Sequence, residues 1–130
     1  MQTQKITDRI KTFNDVLEVL GDVITENQKL LLDYNGNDDL MLAAQAHLKV
    51  SLIAKAYNEG TVLDPMNERQ YKYYPWHVID STSGFGLSYY FYGFWFSYST
   101  VGVRLCFKSA ELAIDAGKKF IEIYAQLKIK

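Results

Sequence analysis

The sequence predicts an α+β fold: a helical amino-terminal half, an antiparallel, aromatic-rich β-meander of three to four strands, and a carboxy-terminal amphipathic helix packed on that sheet. Three observations predict it. Apolar residues recur at helical spacing from Phe13 to Tyr57, each run preceded by residues suited to capping a helix. Thirteen aromatic residues crowd between Tyr71 and Tyr98 with only Lys72 and Asp80 as formal charges, the enrichment that favours strands. A last apolar stripe follows Ser109.

The first helix starts at Thr12, whose hydroxyl can cap an orphan amide while Asp15 reaches back. Phe13, Val16, Leu17 and Leu20 form its apolar stripe, and Gly21 is its stop. Thr25 and Gln28 repeat the capping pattern ahead of Leu30, Leu31 and Leu32, and the run ends at Asn35, Gly36 and Asn37. Asp38 or Asp39 caps the longest helix, expected from about Leu40 to Asn58. Leu42, Ala46, Val50, Ile53 and Tyr57 form one apolar row; Met41, Ala44, Leu48, Leu52 and Ala56 form another. Gln45, Lys49, Lys55 and Glu59 are left a narrow polar arc, so this reads as the central core helix, covered over most of its circumference. Glu59 and Gly60 end it, and residues 61–70 read as a loop.

Pro75 lacks a ladder donor, which puts the segment Tyr71 to Asp80 at a sheet edge or breaks it in two. Residues 81–84 read as a turn. Phe85 to Tyr92 and Phe94 to Tyr98 read as strands split at Gly93, and Val101 to Phe107 as the last strand, with Val103, Leu105 and Phe107 on its apolar face. Ser109 caps the final helix, whose stripe is Leu112, Ala113, Ala116, Phe120, Ile123, Tyr124 and Leu127. With no internal repeat, low-complexity tract or linker, residues 1–130 read as a single domain, the usual size for one.

Composition narrows the function. A net charge of −1 gives no overall attraction to nucleic acid or anionic membranes. Residues 1–70 carry 7 basic and 11 acidic side chains and residues 71–130 carry 7 and 4, a mild asymmetry that a solvated surface accommodates. A lone cysteine, Cys106, cannot form an internal disulfide. The charged first residues lack a signal-peptide core and no apolar run is long enough to span a bilayer. The expectation is a cytoplasmic protein without a membrane span.

No phosphate-binding loop, nucleophile elbow or zinc-protease motif is present. His77, near Asp80, Ser81 and Ser83, could be drawn as an acid–base group, and His47 reads as a helix histidine. Cys106 lies between Arg104 and Lys108, charges that could lower a thiol pKa, while a buried cysteine acting as a small hydrophobe is the commoner outcome. One cysteine and two separated histidines give no metal-ligand spacing. The expectation is a protein without catalytic residues, metal or cofactor.

The aromatics carry the functional expectation. Strand alternation cannot bury them all, so Tyr73, Tyr74, Trp76, Tyr90, Tyr92 and Trp95 are the candidate binding residues. They suit a protein interface, with an unidentified partner or as a homo-oligomer. The alternative is single-stranded nucleic acid stacking on the same rings, with Arg69, Lys72, Arg104 and Lys108 meeting phosphates. A sheet face covered by the amino-terminal helices is the plain structural reading.

Several strings are distinctive: Asn58-Glu-Gly60, Tyr71-Lys-Tyr-Tyr-Pro-Trp76, Ser83-Gly-Phe-Gly86, Arg104-Leu-Cys-Phe-Lys-Ser109 and Ala116-Gly-Lys118 through Phe120. With them the chain, from Arg9 to Leu127, resembles a family of small uncharacterised proteins encoded in Bacteroides-type bacteria and their phages or prophages. The resemblance implies a phage or mobile-element origin, with a bacterial cytoplasm or a virion as location. It implies no activity, cofactor or catalytic residue. Many relatives carry an aromatic at the position of His77, which argues against a shared role for that side chain.

Overall fold

The computed structural model describes residues 5–63, 72–78, 88–95 and 105–127, with residues 76–78 and 88–95 defined by backbone and register. In chain order the elements are α1 (Ile6–Arg9), α2 (Phe13–Leu20), a 3₁₀ turn (Gly21–Val23), α3 (Glu26–Leu32), α4 (Asp39–Tyr57), β1 (Lys72–Val78), β2 (Ser88–Trp95), α5 (Ala110–Lys119) and α6 (Ile121–Ala125).

The helix starts follow local chemistry. Thr12 and Asp15 form a reciprocal capping box on α2, and Thr25 and Gln28 form another on α3. The Asp38 carboxylate accepts from Met41 N at α4, and the Ser109 hydroxyl accepts from Leu112 N at α5. Each supplies an acceptor to an otherwise orphan amide of the first turn. Gly21 ends α2 at φ 54°, and Glu59 and Gly60 end α4 at φ 50° and 87°. These are left-handed conformations that glycine adopts without steric cost.

The expected α+β architecture with a three-to-four-strand meander is overturned. Helices dominate the described residues, and the strands form a two-stranded antiparallel ribbon. Two of the expected strands are one: β2 runs through Gly93, which pairs with Tyr74. In the expected last strand, residues 101–104 lie outside the described residues. Residues 105–107 contribute one bridge, with Tyr73 N donating to Phe107 O at 3.0 Å and Phe107 N to Tyr73 O at 2.7 Å. Both backbone groups of Tyr73 therefore point away from β2. Pro75, two residues on, has its nitrogen toward that same outer edge, so its missing N–H removes no bond between β1 and β2. The expected turn at residues 81–84 lies outside the described residues.

The expected single closing helix is also two. The chain turns at Phe120 (φ −113°, ψ 31°), so that α5 packs on the ribbon while α6 packs on α4. Tyr57 sits at the junction, fully buried, with its ring edge-on to Phe107 and Phe120 at 5.6 and 6.4 Å between centroids. Its hydroxyl donates to Asp115 Oδ2 at 2.7 Å, Asp115 pairs with Lys119 at 2.9 Å, and Lys119 Nζ donates to Ile10 O at 2.7 Å. One polar chain thereby ties α4, α5 and the end of α1. The surrounding core draws Ile6, Ile10, Val16, Leu20 and Ile24 from the amino-terminal helices, Val50 and Ile53 from α4, and Leu112, Ala116 and Tyr124 from α5 and α6.

Asn58, the C-cap of α4, is buried. Its Nδ2 donates to Cys106 O at 3.0 Å and its Oδ1 accepts from Lys108 N at 2.9 Å. No other side chain has both a donor and an acceptor in this planar arrangement except glutamine, which is one methylene too long to occupy the same place. Asn58→Ala strands a carbonyl and an amide, so chemical denaturation should show a loss of about 2–4 kcal/mol with an unchanged helical spectrum in native buffer. A loss below about 0.5 kcal/mol would mean that water replaces both bonds freely.

Candidate functional site

Apart from Val62 in the segment after α4, the most exposed large apolar side chains belong to the start of α4 and its neighbour. Leu40 is 82% exposed and Leu30, on α3, 71%; Met41 and Leu42 are exposed as well. Residues 40–44 are Leu, Met, Leu, Ala and Ala, and at 3.6 residues per turn they sweep more than the full circumference. Apart from Asp39, the first turns of α4 are thus apolar and stand clear of the core, whereas the second half, from Val50 to Tyr57, is largely buried. The expectation that α4 is covered over most of its circumference holds for that second half alone.

Gln45 marks the boundary. Expected on the polar arc, it is buried, and its Nε2 donates to the carbonyls of Leu31, Leu32 and Tyr34 at 3.1, 3.0 and 2.9 Å. Two of these are terminal carbonyls of α3 with no intrahelical partner. The α3 end is thereby pinned to α4 at Gln45, beyond the exposed turns. Those turns are nonetheless built to hold their shape. Asp38 caps them, and the Tyr34 hydroxyl accepts from Asp38 N at 3.0 Å. Leu40, Ala44 and His47, all exposed, lie at i, i+4 and i+7, one stripe along the free side.

The sequence-derived binding residues lie on the ribbon. Lys72, Tyr74 and Trp76 pair with Trp95, Gly93 and Phe91; Tyr73 and Pro75 pair with Phe94 and Tyr92. Cross-strand partners share a face and neighbours along a strand do not. Tyr74, Trp76 and Trp95 therefore fall on one face, Tyr73 and Tyr92 on the other, and Tyr90 at the bulge after the Trp76–Phe91 pair. Tyr73 and Tyr74 are half-buried. By register the six do not share a single face of the ribbon.

Of the four cations named for nucleic acid, Arg69 and Arg104 lie outside the described residues. Lys108 is exposed, with Nζ 3.5 Å from Thr61 Oγ1. Lys72 is 0% exposed, a placement that does not offer its ammonium to a phosphate. It lies near the buried thiol of Cys106. Burial pushes that thiol up to about 12, with the Lys72 charge acting in the opposite direction. The thiol is thus held protonated and not activated by its surroundings among the described residues. His77 pairs with Tyr89 in the ribbon, and Asp80, Ser81 and Ser83 lie outside the described residues. Burial also raises the hydroxyls of Tyr124 and Tyr57, the latter helped by its bond to Asp115.

Among the described residues, no group of three or more His, Cys, Asp or Glu side chains could hold a metal ion, and no helix is long and apolar enough to cross a membrane. No family model, no curated protein and no solved structure matches the chain.

A thiol held protonated inside the core reacts only when the core opens. Thiol reagents at pH 8 should therefore modify Cys106 at the rate of unfolding, and at once in denaturant. Its raised pKa also favours the folded state fully below the unfolded value of 9.0, and that contribution declines as pH rises from there toward about 12. Rapid modification of the native protein would contradict the burial.

Proposed function

We propose that this protein is a non-enzymatic interaction module that self-associates through the exposed first turns of α4. The observation that carries the reading is a capped helix start whose run from Leu40 to Ala44 is wholly apolar, with Leu40 82% exposed. A helix without a polar face needs cover, from its own domain or from another chain. The second half of α4 finds that cover in the core, and the first turns do not find it among the described residues.

A second copy fits this surface because the stripe is self-complementary. An antiparallel contact of two α4 helices centred at Ala44 lets the backbones approach closely over the small Ala44 side chains. Leu40 of each copy then packs beside the His47 turn of the other, and Asp38 and Asp39 of each lie toward the half of the other helix that carries the exposed Lys55. Such a two-fold contact closes on itself and yields a dimer rather than a filament. Each leucine removed from water contributes about 1.5–3 kcal/mol. A contact limited to a few helical turns nevertheless buries less than the ~1,200 Å² of a standard interface, so the association is reversible and concentration-dependent.

Sedimentation velocity over a concentration series should show a monomer–dimer equilibrium in the micromolar to submillimolar range. Leu40→Lys and Ala44→Glu should each shift it at least about tenfold toward monomer, a change of roughly 1.4 kcal/mol, with helical content and melting unchanged because both side chains are already in water. A chain that stays monomeric throughout, or variants that dimerise like the parent, would refute the proposal.

A further inference from the structure

We infer that the cleft between α2, α3 and α4 binds a small amphipathic monocarboxylate, with Lys49 holding the carboxylate and an apolar wall holding the chain. The cleft has a volume of about 530 Å³, within the ~300–1,000 Å³ range of small-molecule sites. Its wall is supplied by Phe13 and Leu17 from α2, Ile24 from the following segment and Leu32 from α3. Apolar walls with a few placed polar groups are the usual make-up of a ligand site.

The polar groups decide the ligand's charge. Two lysines against one aspartate, Lys29 and Lys49 against Asp33, leave the lining with a formal charge of +1. Lys29 is exposed and leans toward Glu26 at 3.8 Å. Lys49 is half-buried, and its ammonium stands 5.9 Å from the centroid of Phe13, over the ring. Among the described residues, no carboxylate lies within ion-pair distance of it. The ring holds the ammonium at the boundary of the apolar wall by a cation–π contact, leaving its remaining donors for an anion. A carboxylate there gains charge-assisted hydrogen bonds, while its alkyl or aryl chain covers Leu17, Ile24 and Leu32. Asp33 is exposed, where its repulsion is screened by solvent and salt, and a second carboxylate at the far end of the ligand chain would have to leave water for the apolar wall. The site accordingly selects a monoanion over a dianion.

Octanoate, octanol and suberate, which keep the chain and carry one, no and two carboxylates, are the probes, with ¹H–¹⁵N shifts of the whole protein as readout. Octanoate should move amides of α2, α3 and the middle of α4 saturably, and octanol and suberate should bind at least about tenfold more weakly. Lys49→Gln, a change at a half-exposed position that spares the core, should weaken octanoate by a similar factor without affecting octanol. Leu17→Trp should fill the cleft and block all three. Equal affinity for octanoate and octanol, an unaltered octanoate affinity in Lys49→Gln, or no saturable shifts would overturn the inference.

Discussion

The double hydrogen bond of Asn58 is the constraint on which the rest of the structure depends. At the end of α4 one buried amide fixes a carbonyl and an amide of the segment that follows the ribbon, Cys106 O and Lys108 N. That fixes Phe107 between them. Phe107 bridges to Tyr73, so the position of β1 follows from Asn58 as well. Ser109 then caps α5 two residues after Phe107. The adjacent Tyr57 packs against Phe107 and Phe120 and reaches Asp115. Two consecutive residues at one helix end thus locate the ribbon, α5 and the turn into α6.

α4 joins this centre to the surface. Its second half is enclosed, Gln45 ties its middle to the end of α3, and its first turns stand free. The gradient runs along the helix axis instead of around it, which is why the helix lacks a polar face and yet is not wholly buried. The proposed contact between copies lies at the free end, and the cleft carrying Lys49 lies beside the middle. Neither draws on the groups that hold the core. Surface changes at Leu40 or Lys49 are thereby separable from stability in a way that changes at Tyr57 or Asn58 are not.

The starts of α2, α3, α4 and α5 were legible in the sequence because capping is local. Thr12 with Asp15, Thr25 with Gln28, Asp38 and Ser109 act over three residues, and Gly21 and Gly60 act through their own backbone. The sheet was not legible, because aromatic composition favours strands without saying how many pair. Gly93 is compatible with either a break or a ladder position, and only the register opposite Tyr74 decides. Side-chain roles set by distant partners were also hidden. Gln45 looks like a surface residue until the α3 carbonyls arrive, and Lys72 looks like a solvated cation until the core closes over it. The apolar start of α4 was visible in the sequence as Leu40 to Ala44. Helical periodicity assigned it to the core because periodicity tells which residues share a side, not where along its length a helix leaves the domain.

Amide hydrogen exchange along α4, read by mass spectrometry at low and high protein concentration, tests this division of the helix most directly. The account predicts slow exchange in the turns before Asn58 at every concentration, and exchange in the first turns that slows as concentration rises. Uniform protection along the whole helix independent of concentration, or rapid exchange in the turns before Asn58, would contradict it.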